Sequence, residues 1–318
     1  MKNSEVITIG KGNYPTVGIV GLVHGDEIVG RKVLDRLRTE LELKQGQVHL
    51  IYANLAAERA GKPQIDKNLN ISFPGKPNGN IEERIAYQLR EVLSQCHFVM
   101  DIHSTSTFQG SFVISTSGLT EETVKANLKG REISKETLEA YKDSGLHPAA
   151  RGATNIDSIT TFSQYTGLKR HLHLKEEVAH GRSLIDFVNS HGKGYGISFE
   201  AGEHHDPETE NTAMEVVNNV LMAYGLIEGI PTQAKDQEIY FGIGAINLPK
   251  GMRSEQFTPS EYLKNFILLP AGVPYGHDHN GRAYSLNKDC VPVLFDEKTR
   301  EGKEFRSGRI FIRTERIS

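Results

Sequence analysis

His24, Gly25, Asp26 and Glu27 follow directly on the apolar run Val17-Gly18-Ile19-Val20-Gly21-Leu22-Val23. A histidine and a carboxylate three residues apart can reach one metal ion together. Three of the thirteen histidines, His24, His173 and His205, have glutamate at that spacing, so spacing alone is a weak signal and a polar strand exit is the plainer reading. At His24 the context adds to it. The run before it is rich in β-branched residues and reads as a buried strand. Gly25 allows a sharp turn, and Ile28, Val29, Val33, Leu34 and Leu37 then recur at helical spacing. A strand that hands over to a helix is a usual ligand position in an open α/β sheet. Phe98-Val99-Met100-Asp101-Ile102-His103 repeats the pattern and supplies a second strand-end histidine. His24, Glu27 and His103 together make the two-histidine, one-carboxylate set of a catalytic zinc site with its fourth position open. A later apolar run, Tyr195 to Phe199, delivers Glu200. A carboxylate beside such a site can serve as general base and then general acid; read alone, Glu200 is a solvated strand end.

Taken in order, these segments resemble the succinylglutamate desuccinylase/aspartoacylase family of zinc carboxypeptidase-like hydrolases. The His24 to Glu27 block is similar to its first metal motif, Asp101 to Ser104 to the strand bearing its third ligand, and Phe199 to Gly202 to the segment of its catalytic glutamate. Asn68-Leu69-Asn70-Ile71-Ser72-Phe73-Pro74-Gly75 is similar to its Asp-Leu-Asn-Arg-x-Phe-Pro-Gly substrate loop. The resemblance implies an α/β fold with a mixed central sheet flanked by helices, and a smaller C-terminal β domain. It also implies one zinc ion per chain on His24, Glu27 and His103, with Glu200 catalytic. The chain departs from the pattern where the family binds anions. Ile71 stands in place of the arginine after Asp-Leu-Asn, and Asn68 in place of the aspartate. Pro63 and Ser190 stand at two further arginine positions. Asn70 is then a candidate for hydrogen bonding to substrate, with Lys62 or Arg59 as the substitute cation.

The periodicity gives strands at Val6–Ile9, Thr16–Val23, Val48–Asn54, His97–His103 and Tyr195–Gly202. Helices are expected from Glu27 to about Leu43, over Ile81–Gln95 behind Asn80 or Gly79, and over Glu208–Leu226. A strand at Gly110–Thr116 and a polar helix over Leu119–Ser144 are also expected. Residues 55 to 79 read as one long loop, and such a loop inside a compact domain is more often functional than idle. Arg170-His171-Leu172-His173 alternates, which puts both histidines on one face of a surface or dimer strand. His204 and His205 follow the Glu200 strand and read as a loop exit. From about residue 235 short strands with turns take over, including Phe266–Leu269 and Gly308–Arg313. The expected division is 1–232 for the hydrolase domain and 233–318 for a β-rich domain that leans over the site.

The 318 residues carry 37 Lys and Arg against 40 Asp and Glu, a formal charge of −3 with no basic block, which argues against a nucleic-acid binder. No signal peptide or membrane span is legible, and two cysteines without metal spacing read as buried free thiols. The expectation is a cytoplasmic zinc-dependent amide hydrolase acting on a small N-acyl compound that is not read through the family's arginine clamp; a homo-oligomer is compatible with it. A peptide-cleaving metallocarboxypeptidase is the near rival, and the missing clamp for a terminal carboxylate counts against it. A metal-binding module without catalysis is the rival from another class, and Glu200 counts against that.

Overall fold

The computed structural model describes residues 2–12, 14–106, 110–116, 163–174, 183–191, 194–296 and 308–316. The expected helix over 119–144, Arg151, Glu176 and His180 lie outside them. Ten strands form one mixed sheet in the order β1-β3-β2-β4-β7-β5-β6-β8-β13-β12. They are β1 Glu5–Gly10, β2 Thr16–Gly21, β3 Gln47–Tyr52, β4 Phe98–Thr105, β5 Phe112–Thr116, β6 Arg170–Leu174, β7 Tyr195–Glu203, β8 Glu238–Asn247, β12 Val291–Val293 and β13 Arg309–Arg316. β2, β3, β4 and β7 run parallel, so their C-terminal ends share one edge. β5 turns back antiparallel to β7.

Helices cover both faces of this parallel part, which is why β2 is buried at every residue and reads as a continuous apolar run. On one face α1 (Ile28–Glu40) and α5 (Glu208–Ala223) pack on Ile19, Met100, Ile102 and Phe199. On the other, α3 (Ile81–Gln95) and α4 (Leu184–His191) pack on Val20, Val99 and Ile51. α1 sits unusually close to β2 because Gly30 faces Gly21; a Cβ on Gly21 would lie 2.7 Å from the Gly30 carbonyl carbon. Strand alternation then decides the site. Phe98, Met100 and Ile102 face the α1/α5 layer, so Asp101 and His103 face the α3/α4 layer. On β7, Ser198 and Glu200 face the same way.

Several expectations are revised. The stretch 55–79 is not structureless: it holds α2 (Leu55–Arg59) and a 3-10 turn at Leu69–Ile71. α1 stops at Glu40, where Leu41 turns extended. Phe266–Leu269 is no strand; Phe266 is left-handed (φ 59) and only Leu269 bridges to Cys290. His171 and His173 are buried in β6, with 0% and 1% exposure, rather than on a surface strand. Ser115 Oγ lies 2.7 Å from both, and Ser163 Oγ 3.0 Å from His171 Nδ1. Burial, with His173 beside it, pushes the His171 pKa down to about 3, so the ring is neutral. Partner hydroxyls let two histidines take the place of apolar residues inside a sheet.

Beyond residue 232, β8 and β13 continue the main sheet, while β9 (Phe257–Pro259), β10 (Pro274–Asp278) and β11 (Ala283–Ser285) form a separate three-stranded sheet. That sheet covers an apolar cluster of its own around Phe257, Leu263, Tyr275, Phe295 and Phe311. A division at 232/233 falls just before β8 and stands as a proposal, resting on this second cluster. Cys96 and Cys290 are buried free thiols, pushed by burial up to about 12 and about 11. Among the described residues no helix is long and apolar enough to cross a membrane.

The loop after α2 is fixed by one buried side chain. Glu82, fully buried in the first turn of α3, accepts from Asn54 Nδ2 (3.2 Å) and from the backbone N–H of Ile65, Asp66 and Lys67 (2.7, 3.1 and 3.1 Å). Three consecutive N–H groups on one carboxylate leave the segment before Asn68 a single course. Glu82→Ala leaves four donors unsatisfied, and a loss of about 3 kcal/mol or more is expected. Urea unfolding measures it, with limited proteolysis at 62–72 as the local readout. A loss below about 1 kcal/mol would sink this account of the loop.

Candidate metal centre and active site

β2 ends at Gly21 and is followed by Leu22, a non-glycine residue in the left-handed region (φ 64), and the chain turns through His24 and Gly25 into α1. Gly25 is packed so closely that a Cβ would stand 2.2 Å from Glu58 N, and its N–H donates to the Pro63 carbonyl at 3.2 Å. Glu27 sits at the N-cap of α1 but makes no side-chain capping bond. Its carboxylate turns instead to the two histidines. Oε1 lies 2.8 Å from His24 Nδ1 and Oε2 2.8 Å from His103 Nδ1. The Ser104 N–H also donates to Oε2, at 3.3 Å.

Each imidazole is oriented by a second partner. His103 Nε2 lies 2.8 Å from Asp101 Oδ2, a carboxylate with no solvent exposure two residues earlier on the same strand face. His24 Nε2 lies 3.1 Å from Asn68 Oδ1, which also accepts from the Asn70 N–H at 2.7 Å. With both Nε2 atoms directed at acceptors, the two Nδ1 atoms, which here face the Glu27 carboxylate, are the ones that would turn to an ion once they give up their protons. Donor atoms of His24, Glu27 and His103 all lie within 4.8 Å of one another. Histidine held through its other nitrogen by a carboxylate or carbonyl is the usual orientation of a metal-ligating ring. The donor set and its surroundings therefore fit a divalent ion of the zinc type.

The charges agree. Burial would raise the Glu27 pKa, but the charges of His24 and His103 and the hydrogen bonds from both rings hold it well below the carboxylate range. Burial would lower that of His103, but Asp101 and Glu27 outweigh it and hold the imidazole well above its ordinary value. Three carboxylates, Glu27, Asp101 and Glu200, meet two histidines in a buried space, which leaves room for added positive charge.

Glu200 lies beside His103 in register, the two being direct partners across β4 and β7. Its Oε2 is buried and, among the described residues, has no hydrogen-bond partner. Burial pushes its pKa up to about 7; His103 and His24 oppose this, while Glu27 and Asp101 add to it. Asn70, half-buried, accepts from the Leu184 N–H at 3.1 Å, so it ties the loop to the start of α4 and keeps its amide Nδ2 for another acceptor. Arg59 and Lys62 are not drawn into this group. Arg59 is exposed and donates to the Lys2 carbonyl at 3.1 Å; Lys62 is exposed beside Pro63. Ile71 is 38% exposed. Ser190 belongs to α4. His204 is half-buried with Nδ1 2.7 Å from Ser104 Oγ, while His205 is exposed. The roles of Asp101 and Asn68 were legible in principle, Asp101 from its i, i+2 relation to His103. Glu82 and Arg309, a half-buried residue within the field of Glu200, carry no local signal.

The succinylglutamate desuccinylase/aspartoacylase catalytic domain matches residues 13–128, a span that holds His24, Glu27, the Asn68–Gly75 loop and His103. The N-alpha-acetyl-L-2,4-diaminobutyric acid deacetylase of Halomonas elongata is 28% identical over 304 residues, 93% of this chain and 78% of that protein. Both matches make this chain similar to the succinylglutamate desuccinylase/aspartoacylase family. Two solved folds of the family type superpose on it. The succinylglutamate desuccinylase/aspartoacylase of Rhodobacter sphaeroides has a TM-score of 0.67 at 19% identity, over 98% of this chain and 88% of that one. Murine aminoacylase 3 has a TM-score of 0.65 at 18% identity, over 96% and 97%. The architecture is thus the zinc carboxypeptidase-like one, with a mixed central sheet between helices.

Two predictions follow from this geometry. Purified protein is expected to hold about one zinc ion per chain by elemental analysis, lost in His24→Ala and His103→Ala. Asp101→Asn should weaken zinc binding about 10–100-fold. Full zinc content in His103→Ala would remove the ligand assignment. The second concerns Glu200 in metal-free protein. A buried carboxyl with its pKa raised from the ordinary 4.5 to about 7 binds protons more readily folded than unfolded, so stability falls as pH rises through that window. Glu200→Gln removes the cost. It should unfold at the same temperature as the native protein near pH 5 but about 2 °C or more higher at pH 8. A melting difference that does not grow with pH contradicts the buried, unpaired carboxylate.

Proposed function

We propose that this protein is a zinc-dependent amide hydrolase that deacylates a small N-acyl compound, with an N-acetylated amino acid related to 2,4-diaminobutyrate as the first candidate. The observation that carries the reading is the register of β4 and β7. It sets the unpartnered Glu200 carboxylate directly beside a ligand-competent histidine. The activity of the Halomonas elongata relative supports the amide-hydrolase class.

His24, Glu27 and His103 would hold the ion. When bound, zinc supplies Lewis acidity to a carbonyl oxygen and makes water more acidic. Glu200 takes a proton from the attacking water as its oxygen bonds to the acyl carbon. It returns that proton to the leaving nitrogen as the carbon–nitrogen bond breaks, giving a carboxylate and an amine. A pKa raised toward neutrality suits a group that must accept and then give a proton at one pH. Asn70 Nδ2 is placed to donate to a substrate oxygen, and Lys62 stands at the exposed rim of the same loop. Arg59, engaged with Lys2, is the weaker candidate. Ile71 gives a carboxylate at that point no partner, and desolvating one there costs several kcal/mol.

Glu200→Gln is expected to keep its zinc and lose 10²-fold or more in kcat. In a panel compared by kcat/KM, N-acetylaspartate and N-succinylglutamate, whose second carboxylate would meet Ile71, should rank below N-acyl compounds neutral at that end. A fully active Glu200→Gln enzyme would place the base elsewhere, with His204 next in line. Ranking N-acetylaspartate or N-succinylglutamate first would overturn the specificity reading.

A further inference from the structure

Each member of the metal centre has an outer partner: Asp101 for His103, Asn68 for His24, and for Glu27 Oε2 the backbone N–H of Ser104, at 3.3 Å. The first two are side chains. The third is a backbone group, and its place depends on what holds Ser104. Ser104 is 3% exposed, and its Oγ lies 2.7 Å from His204 Nδ1. His204 is fastened to the same strand end a second time, because its own N–H donates to the Thr105 carbonyl at 2.9 Å. Thr105 Oγ1 in turn donates to the Gly202 carbonyl at 3.2 Å.

A local irregularity makes these contacts possible. His103 pairs with Glu200, but the next pair is Thr105 with Glu203, so β7 carries one extra residue and Ser104 falls at the break. Gly202 takes up the extra residue in a conformation that favours glycine (φ 130), with Thr209 Oγ1 3.0 Å from where its Cβ would stand. One added residue shifts the alternation of a strand and re-aims the side chains beyond it. Here it brings His204 against Ser104 and leaves the Ser104 N–H to Glu27. Beyond the bulge the chain is pinned to α5, where Thr209 Oγ1 donates to the Glu203 carbonyl at 2.8 Å. His204 thus stands between the start of α5 and the end of β4, one residue removed from the carboxylate of Glu27.

We propose that His204 is a positioning residue of the metal centre: through Ser104 it sets the backbone N–H that completes Glu27, and so strengthens zinc binding without touching the ion. The inference rests on the metal-binding part of the proposed function. Partners that orient a ligand in this way are worth nearly as much to metal affinity as the ligands' own aim, because a carboxylate free to rotate spends less time at the point where the histidines converge. Two other roles for His204 compete with this one. As a loop exit before α5 it would serve stability alone. As a group that touches substrate it would serve turnover alone. The positioning role differs from both in passing through Ser104 and ending at the metal.

The experiment titrates metal-stripped wild type, Ser104→Ala, His204→Ala, His204→Asn and the Ser104→Ala/His204→Ala double variant with zinc against a chromophoric chelator. Either alanine variant should bind zinc about 10-fold more weakly than wild type. The double variant should be weaker than the singles by no more than about twofold, since both changes cut one link. An asparagine amide offers a donor and an acceptor near the place of Nδ1, so His204→Asn should come within about threefold of wild type. The rise in melting temperature that zinc causes should shrink in step with affinity, whereas a purely stabilising role lowers the zinc-free and zinc-loaded forms alike. The proposal is overturned if His204→Ala binds zinc as wild type does, if the two single effects multiply in the double variant, or if His204→Asn is no better than His204→Ala. A loss of kcat at unchanged zinc affinity also overturns it, in favour of contact with substrate. A wild type that binds no zinc would remove the metal centre and this role with it. A wild type that binds zinc but hydrolyses no N-acyl compound would remove the amide-hydrolase reading alone, with the role of His204 still decided by the affinities.

Discussion

The structure depends on one buried carboxylate shared between two rings. Glu27 gives Oε1 to His24 and Oε2 to His103, both at 2.8 Å, at 4% exposure. A carboxylate this deep is tolerated only when its acceptor capacity is filled by cationic or strongly donating groups. The constraint spreads outward. His103 must be aimed by Asp101, His24 by Asn68, and Asn68 must be delivered by a loop that has no regular ladder to hold it. Glu82 holds it, by taking three successive backbone N–H groups. The chain of dependence runs from a helix-start glutamate in α3, through the loop, to the ring of His24.

That arrangement also explains why polar groups of one kind accumulate in one place. The parallel strands end together, the edge is flanked by α3 and α4, and alternation turns Asp101, His103, Ser198 and Glu200 toward the same layer. The outcome is a space with more carboxylate than imidazole, suited to a cation. Among the described residues Glu200 Oε2 has no hydrogen-bond partner, whereas Glu27 engages both of its oxygens. An unpaired buried carboxyl is a liability for stability and an asset for proton transfer, a compromise common at functional sites.

Much of this was legible in the chain itself. The buried β2 run, the turn at Gly25, the capped helix behind Asn80 and the strand ending at His103 follow from periodicity and capping, which are local. His24, Glu27, His103 and Glu200 could be picked out because their types and their places at strand ends restrict the chemistry. Other features were decided by packing. His171 and His173 look like a polar strand face in sequence, and only the hydroxyls of Ser115 and Ser163, brought from two other segments, let them be buried. Phe266–Leu269 has the composition of a strand, but the left-handed turn at Phe266 and the single bridge of Leu269 to Cys290 leave no ladder there. Asn68 and Asn70 were visible as a motif, while their partners, His24 and the start of α4, were not. Local composition determines which elements form and which side chains carry chemistry; long-range register and twist determine which of them meet.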